Sequence, residues 1–377
     1  MLRSHVRTLC LAVGVLAPVL TLGVLTTALV QPASAQQDPN LREQINAGTV
    51  RIVSGDVDGT SFRVAADMAT VLSDGTDMRI LPVIGKGSVQ NLTDILYLQG
   101  VDLAIVQVDV LDYLKDNKLF RGLDRRVHYI TKLFNEELHL LVRDDIKSIQ
   151  DLQGKTVSFG LPGSGAFVTA SKVFETLGVQ PEPVSGDLAM ALEKVKSGEI
   201  AGMVYVGGKP ARLFRDVEAD SGLHFLPVPF TPELLETYMP SRLSNKDYPT
   251  LVGSEGDINT VTVGSAMIAF NWKPDTERYR NLSRFVETFF NKFDEFKKPP
   301  RHGKWTEVSL TSRIPGWTRF GAAEEWLRKN GAGGKMFTEN EVESAFRKFL
   351  EQEATVTEDQ TDILFEKFLL LLERQSG

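Results

Sequence analysis

Thr156-Val157-Ser158-Phe159-Gly160-Leu161-Pro162-Gly163-Ser164-Gly165-Ala166 reads as an apolar strand, a glycine-rich turn and the first residues of a helix. Ala170, Val173, Phe174 and Leu177 then recur at helical spacing, and Gly178 stops the run. A second helix follows, with Leu188, Leu192 and Val195 on one face and Gly198 as its stop, and an apolar strand covers residues 200–206. The same order occurs about 105 residues earlier. There, residues 50–54 form a strand, and Gly55-Asp56-Val57-Asp58-Gly59-Thr60-Ser61 a loop. Val64, Met68, Val71 and Leu72 mark a helix starting near Ser61, and residues 80–84 a second strand. The turn Gly85-Lys86-Gly87-Ser88 leads into a helix with Val89, Leu92 and Leu96 on one face, and residues 101–107 form a buried strand. Strand, loop and helix in series predict a parallel sheet with crossover helices. In such sheets ligands lie beyond the carboxyl ends of the strands, where loop amides and helix N-termini converge. The doubled unit predicts an α/β chain of two lobes facing each other across a cleft.

Two further strands connect the halves. Residues 138–142 are a first crossing between lobes, and the strand-like residues 261–270 bring the chain back. Lobe 1 is therefore expected over 49–137 and 263–331, and lobe 2 over 138–262, with two hinge crossings that permit closure. Leu282, Phe285, Val286, Phe289 and Phe290 predict a strong helix over residues 279–293, and Pro299-Pro300 ends that region. Beyond it, Thr338 and Glu341 form a capping box, and Thr357 and Gln360 open another apolar helix. A helical hairpin appended over 332–377 is the expectation, with packing on lobe 1 or docking to a partner as its alternative roles.

Residues 1–35 are expected to be a signal peptide rather than part of the fold. Arg3 and Arg7 precede an apolar run over residues 9–30, and Ala33-Ser34-Ala35 is a small-residue cleavage site. The run is long, so an uncleaved membrane anchor is the alternative. The only cysteine, Cys10, lies in that segment, so a mature chain has neither disulfide nor thiol nucleophile. The 377 residues suffice for two domains, and 42 Lys+Arg against 49 Asp+Glu, with no basic block, argue against a nucleic-acid partner.

The turn over 160–166 lacks the Gly-Lys-Ser/Thr of a phosphate-binding loop, and its G-x-x-G-x-G spacing is not a dinucleotide fingerprint. It reads as a small-anion or carboxylate site, or else as a packing turn. Asp56 and Asp58 resemble a fragment of a calcium loop without its remaining ligands. His128, His139, His224 and His302 are scattered, so no metal is expected. Ser164 has no evident basic partner, and neither enzyme activity nor a cofactor is expected. Ser61 reads as a helix cap or, with Phe62, as a ligand contact. Tyr205 and Trp317 are read as core aromatics before cleft residues.

In these loops the chain resembles the TAXI family (TRAP-associated extracytoplasmic immunogenic proteins), solute receptors of the type II periplasmic binding fold. The resemblance runs through Gly59-Thr60-Ser61-Phe62, Gly87-Ser88-Val89-Gln90-Asn91-Leu92 and the 101–107 strand ending on Gln107. It continues through residues 138–143, 149–157 and Gly160–Ala166, with weaker matches at Tyr248-Pro249 and Pro315-Gly316, over roughly 49–331. It implies a periplasmic receptor that captures a small carboxylate or amino-acid-like solute and delivers it to the membrane subunits of a TRAP-type transporter. The alternative is a receptor that presents its ligand to a membrane signalling partner. Carried over residue by residue, the ligand contacts would be Ser61, Phe62, Gly87, Ser88, Gln107, Ser164, Gly165 and Ala166. The sequence departs from the family pattern at Asp58-Gly59, at Val108-Asp109 and in the appended hairpin.

Overall fold

The structure, a computed structural model, describes residues 46, 48–75, 78–254 and 256–331. The expected signal segment and the C-terminal hairpin lie outside the described residues. In the first half β1 (Thr49–Val53) leads through α1 (Thr60–Leu72) to β2 (Arg79–Val83), and through α2 (Ser88–Tyr97) to β3 (Leu103–Gln107). Helix α3 (Val108–Asp116) follows directly. The 17-residue strand β4 (Val127–Arg143) then runs into the second half. There β5 (Thr156–Ser158), α4 (Gly165–Thr176), β6 (Glu182–Val184), α5 (Leu188–Lys196) and β7 (Gly202–Gly207) repeat the first plan. Short strands β8 (Leu223–Phe225) and β9 (Met239–Leu243) precede β10 (Ile258–Phe270), which returns to the first half, where α6 (Glu277–Asn291) and α7 (Gly321–Lys329) complete the fold.

The strand order is β2-β1-β3-β10-β4-β7-β5-β6, with β8 on β4 and β9 on β10. The two parallel triplets β2-β1-β3 and β6-β5-β7 have the same internal order and are joined back to back by the antiparallel pair β4–β10. The sequence repeat is thus a repeat of topology, and this is the two-lobe architecture. Strand β4 serves two cores in turn. Ile130, Leu133 and Phe134 belong to the first lobe's core, whereas Leu138, Leu140 and Val142 belong to the second's. Between them stands the polar triplet Asn135-Glu136-Glu137, and opposite it β10 carries Gly264 with a register shift before Ala266.

The cores explain why the helices form where they do. Val64, Met68 and Leu72 of α1 and Leu282, Phe285, Val286, Phe289 and Phe290 of α6 cover one face of the first triplet. Phe289 stands within ring contact of Phe285, Phe290, Phe293, Phe296 and Trp305. In the second lobe His139 is fully buried among Tyr205, Phe214, Phe225 and Tyr248. Its ring nitrogens lie 2.9 Å from the Glu137 carbonyl and 2.7 Å from the Tyr248 hydroxyl, and burial pushes its pKa down to about 3. It is a neutral core side chain. Among the described residues no helix is long and apolar enough to cross a membrane.

Phe289→Ala removes the centre of the first lobe's aromatic cluster. It is expected to cost about 3–5 kcal/mol of unfolding free energy in denaturant titrations. A loss below about 1 kcal/mol would contradict this packing.

Candidate functional site

The carboxyl ends of β1, β3, β5 and β7 point toward a common space between the lobes, which encloses a cavity of about 130 Å³. Ser61, Gly87, Ser88, Gln107, Ser164, Gly165 and Ala166 all line it. Phe62 does not: it faces a separate surface groove with Arg63, Asp67, Arg212 and His302. The reason is helical rotation, since one residue along α1 turns a side chain by about 100° away from the direction Ser61 takes. Nor is Ser61 a cap, because Gly59 holds the N-cap position and Ser61 lies within the helix.

Each wall is fixed by a polar contact. The Gln107 backbone N–H donates to Ser88 Oγ at 3.0 Å, which ties the start of α2 to the end of β3. Asn91 Nδ2 donates to the carbonyls of Ser54 and Ile105 at 2.8 and 2.9 Å, bracing β1 against β3. Its Oδ1 faces Gly85 so closely that a Cβ at Gly85 would lie 2.1 Å away. From the second lobe, Ser164 Oγ accepts the Phe167 N–H at 3.1 Å and caps α4. The amides of Gly165 and Ala166, in the first turn of α4, have no intrahelical acceptor. Helix α5 differs, because Asp187 accepts from Ala189 and Met190 and so occupies its own helix end.

The lobes touch around this cavity. The Val89 N–H donates to the Gly163 carbonyl at 3.1 Å, and the Gly208 N–H to Thr60 Oγ1 at 3.1 Å. Gly87 has φ +115°, and a Cβ there would lie 2.6 Å from the Ser164 Cα. A Cβ at Gly165 would lie 1.4 Å from Gln107 Oε1. Both glycines are therefore required by this closed arrangement.

At the base of the cavity lies Glu136, which sequence reasoning did not single out. It is 5% exposed, with Ser61 Oγ donating to one carboxyl oxygen at 3.0 Å and Gln107 Nε2 to the other at 2.8 Å. Burial pushes its carboxyl up to about 7; the two hydrogen bonds oppose this, and the charges of Asp109 and Glu137 add to it. Its neighbour Glu137 points elsewhere, forming a buried ion pair with Lys304 at 2.7 Å. The available signal was an acidic pair inside an otherwise apolar strand. Thr60 and Asn91 also line the cavity, as does Tyr205, whose ring lies over Gly207. Trp317 is remote, its indole N–H donating to Asp112 at 2.8 Å within the first lobe's core. Among the described residues no cluster of His, Cys, Asp and Glu could hold a metal ion.

The sequence matches the NMT1-like family over residues 52–311, well over half of the chain. The chain belongs to the NMT1-like family. Solved structures that this NMT1-like protein is similar to include a periplasmic transporter at 14% identity, covering 76% of this chain and 93% of the other with a TM-score of 0.46. The alkanesulfonate-binding protein SsuA from Xanthomonas axonopodis pv. citri, bound to MOPS, shares 14% identity over 87% of this chain and 84% of its own, with a TM-score of 0.39. A TctC solute-binding protein from Polaromonas shares 14% over 66% and 88%, with a TM-score of 0.38. None of the three extends what the strand order and the family match establish.

A carboxyl raised from its ordinary 4.5 to about 7 stabilises the fold fully below pH 4.5, and that contribution is lost as pH rises through 7. Glu136→Gln is expected to flatten the fall in stability between roughly pH 5 and 8, gaining up to about 3 kcal/mol at the alkaline end. Chemical denaturation at several pH values measures this. Parallel pH profiles for the two proteins would contradict the assignment.

Proposed function

We propose that this protein is an extracytoplasmic solute-binding receptor that closes its two lobes around a small carboxylate-bearing solute. The observation that carries the reading is the chemistry of the cavity between the lobes. The N-termini of α1, α2 and α4 converge on it, presenting first-turn amides and the positive ends of their dipoles to an anion. On the same cavity stand acceptors without partners among the described residues, Gln107 Oε1 and Asn91 Oδ1, beside the Glu136 carboxyl. A solute with a carboxylate at one end and an amino or hydroxyl group at the other satisfies both sets. An amino-acid-like ligand fits that description.

The contacts assigned to such a solute are Ser61, Gly87, Ser88, Gln107, Ser164, Gly165 and Ala166, with Glu136 added and Phe62 removed. Delivery to the membrane subunits of a TRAP-type transporter rests on the resemblance to the TAXI receptors. Export rests on the N-terminal segment, whose basic start, apolar run and Ala33-Ser34-Ala35 point to a periplasmic mature chain.

Gly165→Val tests the reading. A side chain there collides with Gln107 and Ser88 of the other lobe, so it is expected to hold the lobes apart. The variant is expected to fold with a cooperative melt and to lose the thermal shift that wild type shows with a stabilising carboxylate or amino acid. An unchanged shift would make the loop structural only, and the cleft would not be the binding site.

A further inference from the structure

A second cavity, of about 440 Å³, lies beside the first and shares none of its lining residues. One wall is α3 of the first lobe, another is α4 with Tyr238 of the second, and its floor is the crossing strands at Lys132 and Gly264. Two charged groups on these walls keep capacity for a ligand, Asp109 and Lys132. Asp109 is 7% exposed. Its Oδ2 accepts from the Thr169 hydroxyl at 2.6 Å and the Tyr238 hydroxyl at 3.1 Å, while Oδ1 is buried with no donor among the described residues. Lys132 is partly buried, its stem lying against Gly264, and the acid whose charge acts on it is Glu307, which is itself engaged by Lys304 at 2.7 Å and by the Asn135 N–H at 3.3 Å.

We propose that this cavity is a second binding site, for a small zwitterion whose ammonium meets Asp109 Oδ1 and whose carboxylate meets Lys132. A buried carboxylate oxygen without a donor costs free energy, and a molecule whose ammonium meets it and whose carboxylate meets the Lys132 ammonium on the same cavity offsets that cost. The remaining charged groups cannot do so. Asp112 is already engaged by the Trp317 indole N–H, and Asp116, Lys172, Glu236 and Arg313 stand exposed at the rim. Because the walls come from both lobes, an occupant bridges them in the closed arrangement. Binding here and closure of the first cavity are then linked, each favouring the other. The inference stands independently of which solute enters the first cavity.

The test titrates the full chain calorimetrically with ω-amino acids of increasing length, glycine, β-alanine, γ-aminobutyrate and ε-aminocaproate. Wild type, Asp109→Asn, Lys132→Met and the cleft variant Glu136→Gln, which introduces no clash between the lobes, are compared. One length is expected to bind wild type, to weaken about tenfold or more in both Asp109→Asn and Lys132→Met, and to retain a measurable site in Glu136→Gln. Should no member bind, or should binding vanish only in Glu136→Gln, the second site is overturned while the first remains. Asp109→Asn keeps the shape and both hydroxyl contacts. If either variant fails to fold, a wild-type crystal soaked with the best binder decides: density between Asp109 and Lys132 supports the proposal, and its absence there overturns it.

Discussion

The closed form of this protein depends on a carboxyl group buried where two hydrophobic cores meet. Strand β4 runs continuously through both lobes, and between the segments that it gives to the two cores it carries the polar run Asn135-Glu136-Glu137. Burying an unpaired carboxylate there would cost several kcal/mol. The fold limits that cost by supplying Ser61 and Gln107 as donors and by holding the group closer to neutrality. Ser61 begins α1 and Gln107 ends β3, so the same two bonds that satisfy Glu136 also set the first lobe's half of the cleft.

The contacts between the lobes are mainly polar: the bonds Val89–Gly163 and Gly208–Thr60, and the buried bonds from Thr169 and Tyr238 to Asp109, with Val168 packed against the first lobe's core. In the proposed function these are the contacts that a ligand would favour by drawing the lobes together. Gly264 and the register shift beside it lie on β10 opposite Asn135, so the crossing strands can bend without disturbing either parallel triplet.

Much of the fold was legible because its signal is periodic. The apolar spacing in α1, α4 and α6 and the ordered recurrence of strand, loop and helix follow from one-sided burial, which leaves its imprint on sequence. The crossings were legible as apolar strands near Leu138 and Val263, though not their length: β4 starts at Val127 because its N-terminal half is buried by the first lobe. The glycine loops were legible too, because close approach of backbone to backbone demands residues without a side chain. Glu136 was legible only as one of an acidic pair among apolar residues, a signal that does not distinguish an acid at a domain junction from one at an exposed strand edge. Phe62 shows the reverse limit. Its neighbour Ser61 faces the cavity, but adjacent residues on a helix diverge, and family resemblance cannot resolve a single step of rotation. Tyr205 and Trp317 look alike in sequence, yet only Tyr205 lines the cavity.

The central claim is that a solute is held between lobes that close on it. Small-angle X-ray scattering of the full chain, with and without a saturating solute identified by thermal shift, tests it most directly. The account predicts a smaller radius of gyration and a more compact distance distribution when the solute is present. An unchanged profile at saturation would contradict it.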